Sequence, residues 1–331
     1  MNGVQKNFHL IFRKKFKMKN VPFGNKIENK CNKKLPSSNM MIYFYNKFIL
    51  LQIFSIIIIL FASSTVWAEE NSEPIRFGLT PAIIHNQYGL LIDWREYLQK
   101  KLRRPVEFVS RDSYRETIDL IKQKKIDFAW VSDYPYVYLE DKRLARLLVT
   151  PLYQGRPYYC SYLIVPSSDL TTKSLLQLKG KIFAYADPYS NSGHLVPRYQ
   201  LQQAGEDPNR FFRKTFFTWG HRRIVEAVAQ GLVDAGSLDS FVWDTLSIIQ
   251  PDLTNQTRIV AKSPEYGFPP IVARRNVNRA DSAAMQQALL DMANDPEGAK
   301  LLKRLNLSGF APGDAKLYDG VRKMMHTMAD L

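Results

Sequence analysis

The chain has 331 residues, 45% of them apolar, which is enough to build one large folded domain or two of ordinary size. This composition excludes an intrinsically disordered chain. The formal charge of +15 is uneven, because residues 1–68 hold 11 Lys/Arg and one acid, and the remainder carries only about +5. So small a positive charge on residues 69–331 does not indicate a nucleic-acid partner.

The leader has the pattern of a secretory signal peptide at residues 40–68. An apolar run, Phe48–Ala62, follows Lys47 and is followed by small residues at the minus-three and minus-one positions, Val66 and Ala68. The run is shorter than the roughly 20 residues that span a bilayer, which makes a membrane anchor the less favoured alternative. We therefore expect cleavage near Ala68 and export to the periplasm.

Cleavage would also remove one of the two cysteines, Cys31. Cys160 would then have no intramolecular disulfide partner. Residues 1–39 are rich in Lys and Asn and lack a structural pattern. A start at Met40, with residues 1–39 untranslated, remains a second interpretation.

From Ile75 onward, short apolar runs alternate with helical patterns, as in βα units on a mostly parallel sheet. The first series predicts strands at 75–79, 106–109, 128–131 and 147–149, with helices at 88–102 and 113–124. The second predicts strands at 162–165, 182–185, 214–217 and 233–237, with helices at 174–178, before 205 and at 222–230. Strands at 258–261 and 271–273 and further helices complete the chain.

The two series predict an α/β protein with two lobes. Lobe 1 comprises residues 72–159 and 257–331, and lobe 2 comprises residues 160–256. Each lobe is expected to be a mostly parallel sheet flanked by helices. A ligand cleft is expected between them, because small ligands commonly bind at domain interfaces.

The most informative motif runs from Asp187 to Pro197, between a predicted strand and a predicted helix. It gathers the polar side chains of Ser190, Asn191 and Ser192, and Gly193 allows close approach of the backbone. Unpaired N–H groups at a helix start bind anions, so the motif predicts an anion site. Ordinary helix capping by the serines is the alternative.

Other candidates lie next to predicted connections. His221 follows the strand at 214–217 and opens a helix, where its imidazole could donate to an anion, although a capping or surface histidine is the alternative. Tyr114 and Tyr159 are placed where tyrosines often line pockets. The acids Asp133, Asp187, Asp234 and Asp239 are interpreted as caps or turn residues. The five histidines lack metal-site spacing, and no cofactor is expected.

Together these residues resemble the phosphonate and phosphite solute-binding proteins of ABC importers, which have the type 2 periplasmic binding protein fold. The resemblance covers roughly Ile75–Leu305. It rests on residues 111–114, 126–130, 159–165, 187–197 and 220–221, of which 187–197 is the specific motif.

The resemblance implies a ligand site formed by Tyr114, Tyr159, Ser190, Asn191, Ser192, Gly193 and His221. It also implies supporting positions beside the ligand at His194, Asp239, Phe241 and Cys160. Relatives that bind aminoalkyl phosphonates hold the ammonium with carboxylates, whereas the matching positions here are Phe241 and the 268–269 turn. The expected ligand is therefore phosphite, phosphate or a simple phosphonate, because an unpaired buried ammonium is costly.

The expected partner is an ABC permease, and the protein is expected to be a monomer without enzymatic activity. One alternative is an oxyanion sensor that partners a membrane histidine kinase, with arsenite as a ligand through the Cys160 thiol. A further alternative is a hydrolase with Ser190 or Ser192 as nucleophile and His221 or His194 as base. A Gly-x-Ser-x-Gly motif is absent, which disfavours the hydrolase.

Overall fold

The computed structural model describes residues 45–54, 73–80 and 88–328. The predicted cleavage site at Ala68 and residues 1–39 lie outside this part of the chain. The protein divides into two units after Glu70. Helix α1, residues 45–54, belongs to the first unit, and its side chains are exposed. Among the described residues, no helix is both long enough and apolar enough to cross a membrane.

The second unit contains all thirteen described strands and the other described helices. The strands are β1 (Ile75–Leu79), β2 (Val106–Ser110), β3 (Phe128–Trp130), β4 (Ala145–Leu152), β5 (Tyr158–Tyr159), β6 (Ser161–Pro166), β7 (Ile182–Tyr185), β8 (Lys214–Phe217), β9 (Ala235–Asp239), β10 (Thr257–Lys262), β11 (Tyr266–Gly267), β12 (Ile271–Arg274) and β13 (Gly309–Pro312). The helices are α2 (Tyr88–Leu102), α3 (Tyr114–Lys122), α4 (Asp133–Asp141), α5 (Val196–Gln203), α6 (His221–Ala229), α7 (Ser240–Ile249), α8 (Pro251–Thr254), α9 (Arg279–Leu290), α10 (Pro296–Arg304) and α11 (Asp319–Met328).

Two sheets organise this unit. The first has the strand order β13-β4-β12-β3-β1-β2, in which β1 to β4 run in one direction and β12 and β13 in the other. The second has the order β10-β6-β9-β7-β8, in which β6 runs opposite to the other four strands. The predicted α/β class with mostly parallel sheets is confirmed.

A two-stranded ladder links the sheets. Strand β5 pairs antiparallel with β11, and these strands lie on the two connections by which the chain leaves the first sheet and returns to it. Strand β10 pairs with β6 in the second sheet, whereas residues from 257 onward were expected in lobe 1. The chain therefore returns to the first sheet only after Lys262, because the pairing of β10 with β6 extends to that residue.

The core of the first sheet explains why its strands and helix α2 form. Trp94 of α2 packs against Phe77, Phe108 and Trp130, with ring centroids 5.2–5.9 Å apart. Edge-to-face and tilted contacts of this kind stabilise aromatic cores beyond the burial of area. Helix α3 is fixed at its start by a capping box, in which Ser113 and Glu116 satisfy each other's backbone N–H groups.

Several elements differ from the sequence prediction, and α7, β5 and β11 are among those that were not predicted. The helix expected at 174–178 is a single 3-10 turn, Leu175–Leu178. Strand β9 ends at Asp239, two residues later than expected. Helix α4 was not predicted, because its sequence combines three tyrosines with a proline and has no strong apolar face. The last two differences matter most, because α4 and the end of β9 both contribute to the candidate site.

Candidate functional site

Five helical starts converge at the carboxyl ends of strands from both sheets. Helices α3 and α4 follow β2 and β3, a π-turn at Asn191–Leu195 follows β7, and α6 and α7 follow β8 and β9. With β5 they bring together six side chains that are each less than 5% exposed. We term these residues the central cluster: Tyr114, Asp133, Tyr159, Asn191, His221 and Asp239.

One half of the central cluster is a chain of hydrogen bonds through His221. The backbone N–H of Asp239 donates to His221 Nδ1 at 3.2 Å, and His221 Nε2 lies 3.2 Å from the Tyr114 hydroxyl. Because Nδ1 accepts, the ring proton lies on Nε2 and is donated to the Tyr114 oxygen. The Tyr114 hydroxyl hydrogen is then available to another acceptor. The backbone N–H of Tyr114 also donates to Asp187 Oδ2 at 3.1 Å, which joins the two sheets.

The other half is organised around the Asp133 carboxylate. The Tyr159 hydroxyl donates to both of its oxygens, at 2.9 and 2.8 Å, and Asn191 Nδ2 donates to Oδ2 at 2.7 Å. The Ser132 hydroxyl donates to Oδ1 at 2.9 Å. Asn191 Oδ1 has no hydrogen-bond partner among the described residues. Asp133 is thus the shared acceptor for groups from the first sheet, the connecting ladder and the second sheet.

The predicted anion motif forms a tightly packed turn. Ser190 caps it, since its hydroxyl accepts from the Gly193 N–H at 3.0 Å. The Ser192 carbonyl accepts from Ser161 and Ser237, at 2.6 and 2.9 Å. The turn is π-helical, and α5 begins only at Val196, which accommodates the proline at its second position. Ser190 therefore acts as the cap of this turn, as the capping interpretation expects.

Burial sets the charge state of the central cluster. It raises the pKa of Asp133 to about 6 and that of Asp239 well above its ordinary value. It lowers the pKa of His221 to about 3, so the imidazole is neutral at pH 7. The pKa values of Tyr114 and Tyr159 are raised by burial, which keeps both hydroxyls protonated. Both tyrosines and His221 are therefore neutral donors.

Three of the four supporting positions lie outside the central cluster. His194 bonds the Pro188 carbonyl at 2.9 Å and packs against Tyr185 and Phe217. Phe241 packs against Tyr153 and Phe268. Cys160 lines a cavity of about 670 Å³ that Tyr159 also borders, and burial raises the pKa of its thiol. The fourth, Asp239, belongs to the central cluster and caps α7 through the Phe241 N–H.

Asp133 is the residue of this site that sequence reasoning missed. An acid directly after a strand was interpreted as a cap, yet the N-cap of α4 is Ser132, and the Asp133 carboxylate accepts from the Tyr159 and Asn191 side chains. The one available indication was its place at the end of the buried strand β3, where parallel strands present ligand groups. Among the described residues, no group of His, Cys, Asp and Glu is arranged to hold a metal ion.

Sequence comparison matches residues 77–318 to the family described as ABC transporter, phosphonate, periplasmic substrate-binding protein. The chain is 28% identical over 257 residues to the phosphonates-binding periplasmic protein of Escherichia coli, covering 75% of this chain and 74% of that protein. It is 24% identical over 174 residues to a probable ABC transporter phosphite binding protein of Prochlorococcus marinus, covering 51% and 59% of the two chains.

Solved structures agree on the fold. A binding protein component of an ABC phosphonate transporter from Pseudomonas aeruginosa superimposes with a TM-score of 0.71 at 24% identity, covering 76% of this chain and 85% of that one. PhnD1 from Prochlorococcus marinus, solved in complex with methylphosphonate, gives 0.70 at 21% identity, covering 78% and 98%. At these identities the likeness establishes the fold alone.

Proposed function

Because the chain belongs to the family of phosphonate-type periplasmic substrate-binding proteins of ABC transporters, we propose that it captures a small oxyanion for delivery to a membrane permease. Phosphite, phosphate and simple phosphonates are the proposed ligands. The observation that carries the proposal is the convergence of helix starts from both sheets on one buried cluster that includes the neutral donors Tyr114, Tyr159 and His221.

The proposed ligand contacts are hydrogen bonds from both sides of the cluster. The Tyr114 hydroxyl and the helix-start N–H groups donate to the anion, and His221 orients Tyr114. Tyr159 and Asn191 donate to Asp133 in this structure and must redirect those hydrogens to reach the anion. Charge-assisted hydrogen bonds to an oxyanion are stronger than neutral ones, and exclusion of water strengthens them further. Closure of the two lobes, each built on one of the two sheets, completes the site.

The aromatic surroundings support an unsubstituted or alkyl-bearing anion over an aminoalkyl one. Phe241 and Phe268 pack edge-to-face, with ring centroids 5.1 Å apart, at the positions where relatives were expected to carry carboxylates. Such rings offer an ammonium no hydrogen-bond acceptor, although they suit a methyl group or a P–H bond.

We propose that the chain has no catalytic activity. Members of its family are substrate-binding proteins. Among the described residues, no hydrogen bond joins a histidine to the Ser190 or Ser192 hydroxyl, and Ser190 accepts the Gly193 N–H instead. A serine nucleophile needs such a base within hydrogen-bond reach. This arrangement supports binding over hydrolysis.

The family implies a periplasmic location. We further propose export by the signal peptide at 40–68, release as a monomer after Ala68, and docking to an ABC permease. N-terminal sequencing of the mature protein and light scattering would test the first two proposals. A sequence that begins elsewhere than Glu69 would contradict the proposed cut.

Calorimetry on protein freed of bound ligand tests the central proposal. Phosphite, phosphate and methylphosphonate should bind, and Tyr159→Phe should weaken binding about tenfold, because a buried donor is lost. Tyr138→Phe, which changes a half-buried tyrosine outside the central cluster, should bind like the wild type. If none of these ligands binds to the wild type, the proposed function is wrong.

A further inference from the structure

Strand β8 lies at the edge of the second sheet, and both of its faces are exposed. In the order β10-β6-β9-β7-β8 it pairs with β7 on one side and with no described strand on the other. Each residue from Arg213 to Phe217 is exposed. Edge strands are usually short and charged, which protects them from pairing with other chains. Two of the four residues of β8 are instead phenylalanines, and protection of the edge does not explain them.

The exposed aromatic rings of the second unit are gathered at this edge. Phe216, Phe217 and Trp219 are 41%, 36% and 43% exposed, and they are the only exposed aromatic side chains among those that the structure describes in this unit. The rings of Phe217 and Trp219 have centroids 6.0 Å apart, and Phe216 lies on the opposite face of the strand. Single exposed apolar residues are normal on a protein surface, whereas a group of them marks an interaction site.

The same stretch of chain is positively charged. Residues 209–225 contain five Lys/Arg and no Asp or Glu. Two of the five form salt bridges to acids outside the stretch, Asp207 and Glu226. Within the part of the chain that the structure describes, the other three take part in no salt bridge: Arg213, Lys214 and Arg223. We term these three cations and the three rings the edge patch, in which the Lys214 Nζ lies 4.5 Å from the centroid of the Phe216 ring.

The backbone of Trp219 shows that its ring is exposed at a cost to stability. Its φ is 57°, in the left-handed region, and the other described non-glycine residues with positive φ are all polar or charged. This conformation is unfavourable for a bulky side chain. The Trp219 N–H donates to the Ala186 carbonyl at 2.7 Å, which fixes the turn. Strain of this kind is typical of functional sites, and a half-exposed ring gains little burial in return.

We propose that the edge patch binds the surface of an anionic phospholipid bilayer, with its rings at the level of the headgroups and its cations paired with lipid phosphates. Trp and Phe beside Lys and Arg are the residue types of segments that lie at membrane interfaces. A bilayer that meets the edge of the sheet contacts the rings on both faces of β8 at once. The periplasmic location of the family brings the protein to such a surface. The proposal does not depend on the ligand.

A second copy of the chain fits the edge patch less well than a bilayer does. Pairing of β8 with β8 of another copy would bring the unpaired cations of both copies together, and like charges repel. A lysine on an edge strand also opposes strand pairing. An acidic protein segment would pair with the cations as well, and a soluble polyanion distinguishes it from a bilayer in the experiment.

Sedimentation with lipid vesicles tests the proposal on protein recovered from the periplasm. The wild type should bind phosphatidylcholine vesicles that contain phosphatidylglycerol at least about tenfold more tightly than pure phosphatidylcholine vesicles, and high salt should remove the difference. Lys214→Glu should weaken binding at least about fivefold. Trp219→Asn should weaken it by a similar factor without lowering Tm, because asparagine tolerates the left-handed conformation. Lys300→Glu and Leu232→Asn, the same changes at exposed residues outside the edge patch, should bind like the wild type.

Three results would overturn the proposal: equal binding to both kinds of vesicle, wild-type binding by both edge-patch variants, or binding of soluble polyglutamate without binding of vesicles. The last would assign the edge patch to an acidic protein. Because the Lys214 side chain is exposed, Lys214→Glu should fold even if Trp219→Asn does not. Ligand binding is measured separately by calorimetry, so failure of this proposal would leave the proposed function intact.

Discussion

Replacement of Gly193 by alanine should destabilise the protein because the π-turn leaves no room for a side chain. A Cβ built on Gly193 lies 2.4 Å from the Ala186 Cβ and 3.1 Å from His221 Cε1. Carbon atoms do not approach to 2.4 Å, so the turn must move away from β7. Overpacking of this kind costs about 1–3 kcal/mol. At about 2–4 °C per kcal/mol, Tm should fall measurably, and displacement of the turn should weaken anion binding.

Thermal unfolding followed by circular dichroism measures the effect, and Gly320→Ala provides the control. Nothing lies within 4 Å of a Cβ built on Gly320 in helix α11. Alanine there should raise the free energy of unfolding by about 0.5–1 kcal/mol, because glycine is the poorer helix former. If Gly193→Ala raised Tm as Gly320→Ala should, the close packing of the turn against Ala186 would be refuted.

Three further changes test other parts of the structure. Since the pKa of Asp133 is raised from 3.8 to about 6, the folded state binds more protons in that range, and the unfolding free energy should fall by up to about 3 kcal/mol as pH rises through it. In urea titrations at several pH values, the free energy of unfolding of Asp133→Asn should therefore rise relative to that of the wild type as the pH increases up to 7. A difference between the two proteins that does not change with pH would contradict this. Ser190→Ala should cost about 1 kcal/mol in urea unfolding, because the Gly193 N–H loses its acceptor. Asp127→Ala should cost about 1–3 kcal/mol, since Asp127 accepts from Arg274 and the Arg76 N–H at 2.9 and 3.0 Å, whereas Asp127→Asn should cost less.

Much of the fold follows from local sequence patterns. Apolar runs such as Ile75–Leu79 and Ile182–Tyr185 predict β1 and β7 with their observed bounds, and α2 is likewise predicted in full. Helix α4 has no such pattern. It is stabilised by tertiary contacts, among them the packing of Tyr136 against Tyr318, whose ring centroids lie 4.6 Å apart. A sequence window around residues 133–141 does not contain that information.

The candidate site likewise contains residues that local sequence predicts and one, Asp133, that it does not. The motif at 187–197 identifies its turn locally, and strand ends indicate where Tyr114 and His221 lie. The role of Asp133 depends instead on Tyr159 and Asn191, which lie 26 and 58 residues away in the chain. Local reasoning could not distinguish a solvated cap from a buried acceptor, because the difference lies entirely in those distant partners.

Tyr159 also belongs to the two-stranded ladder that joins the sheets, where it pairs with Tyr266. If its hydroxyl binds the ligand as proposed, occupancy of the site and the pairing of β5 with β11 are thermodynamically linked. Linkage is reciprocal, so any partner that strains this ladder must weaken ligand binding by the same free energy that the ligand adds to the ladder. A permease that strained this connection would therefore lower the affinity for the ligand without reaching the buried anion.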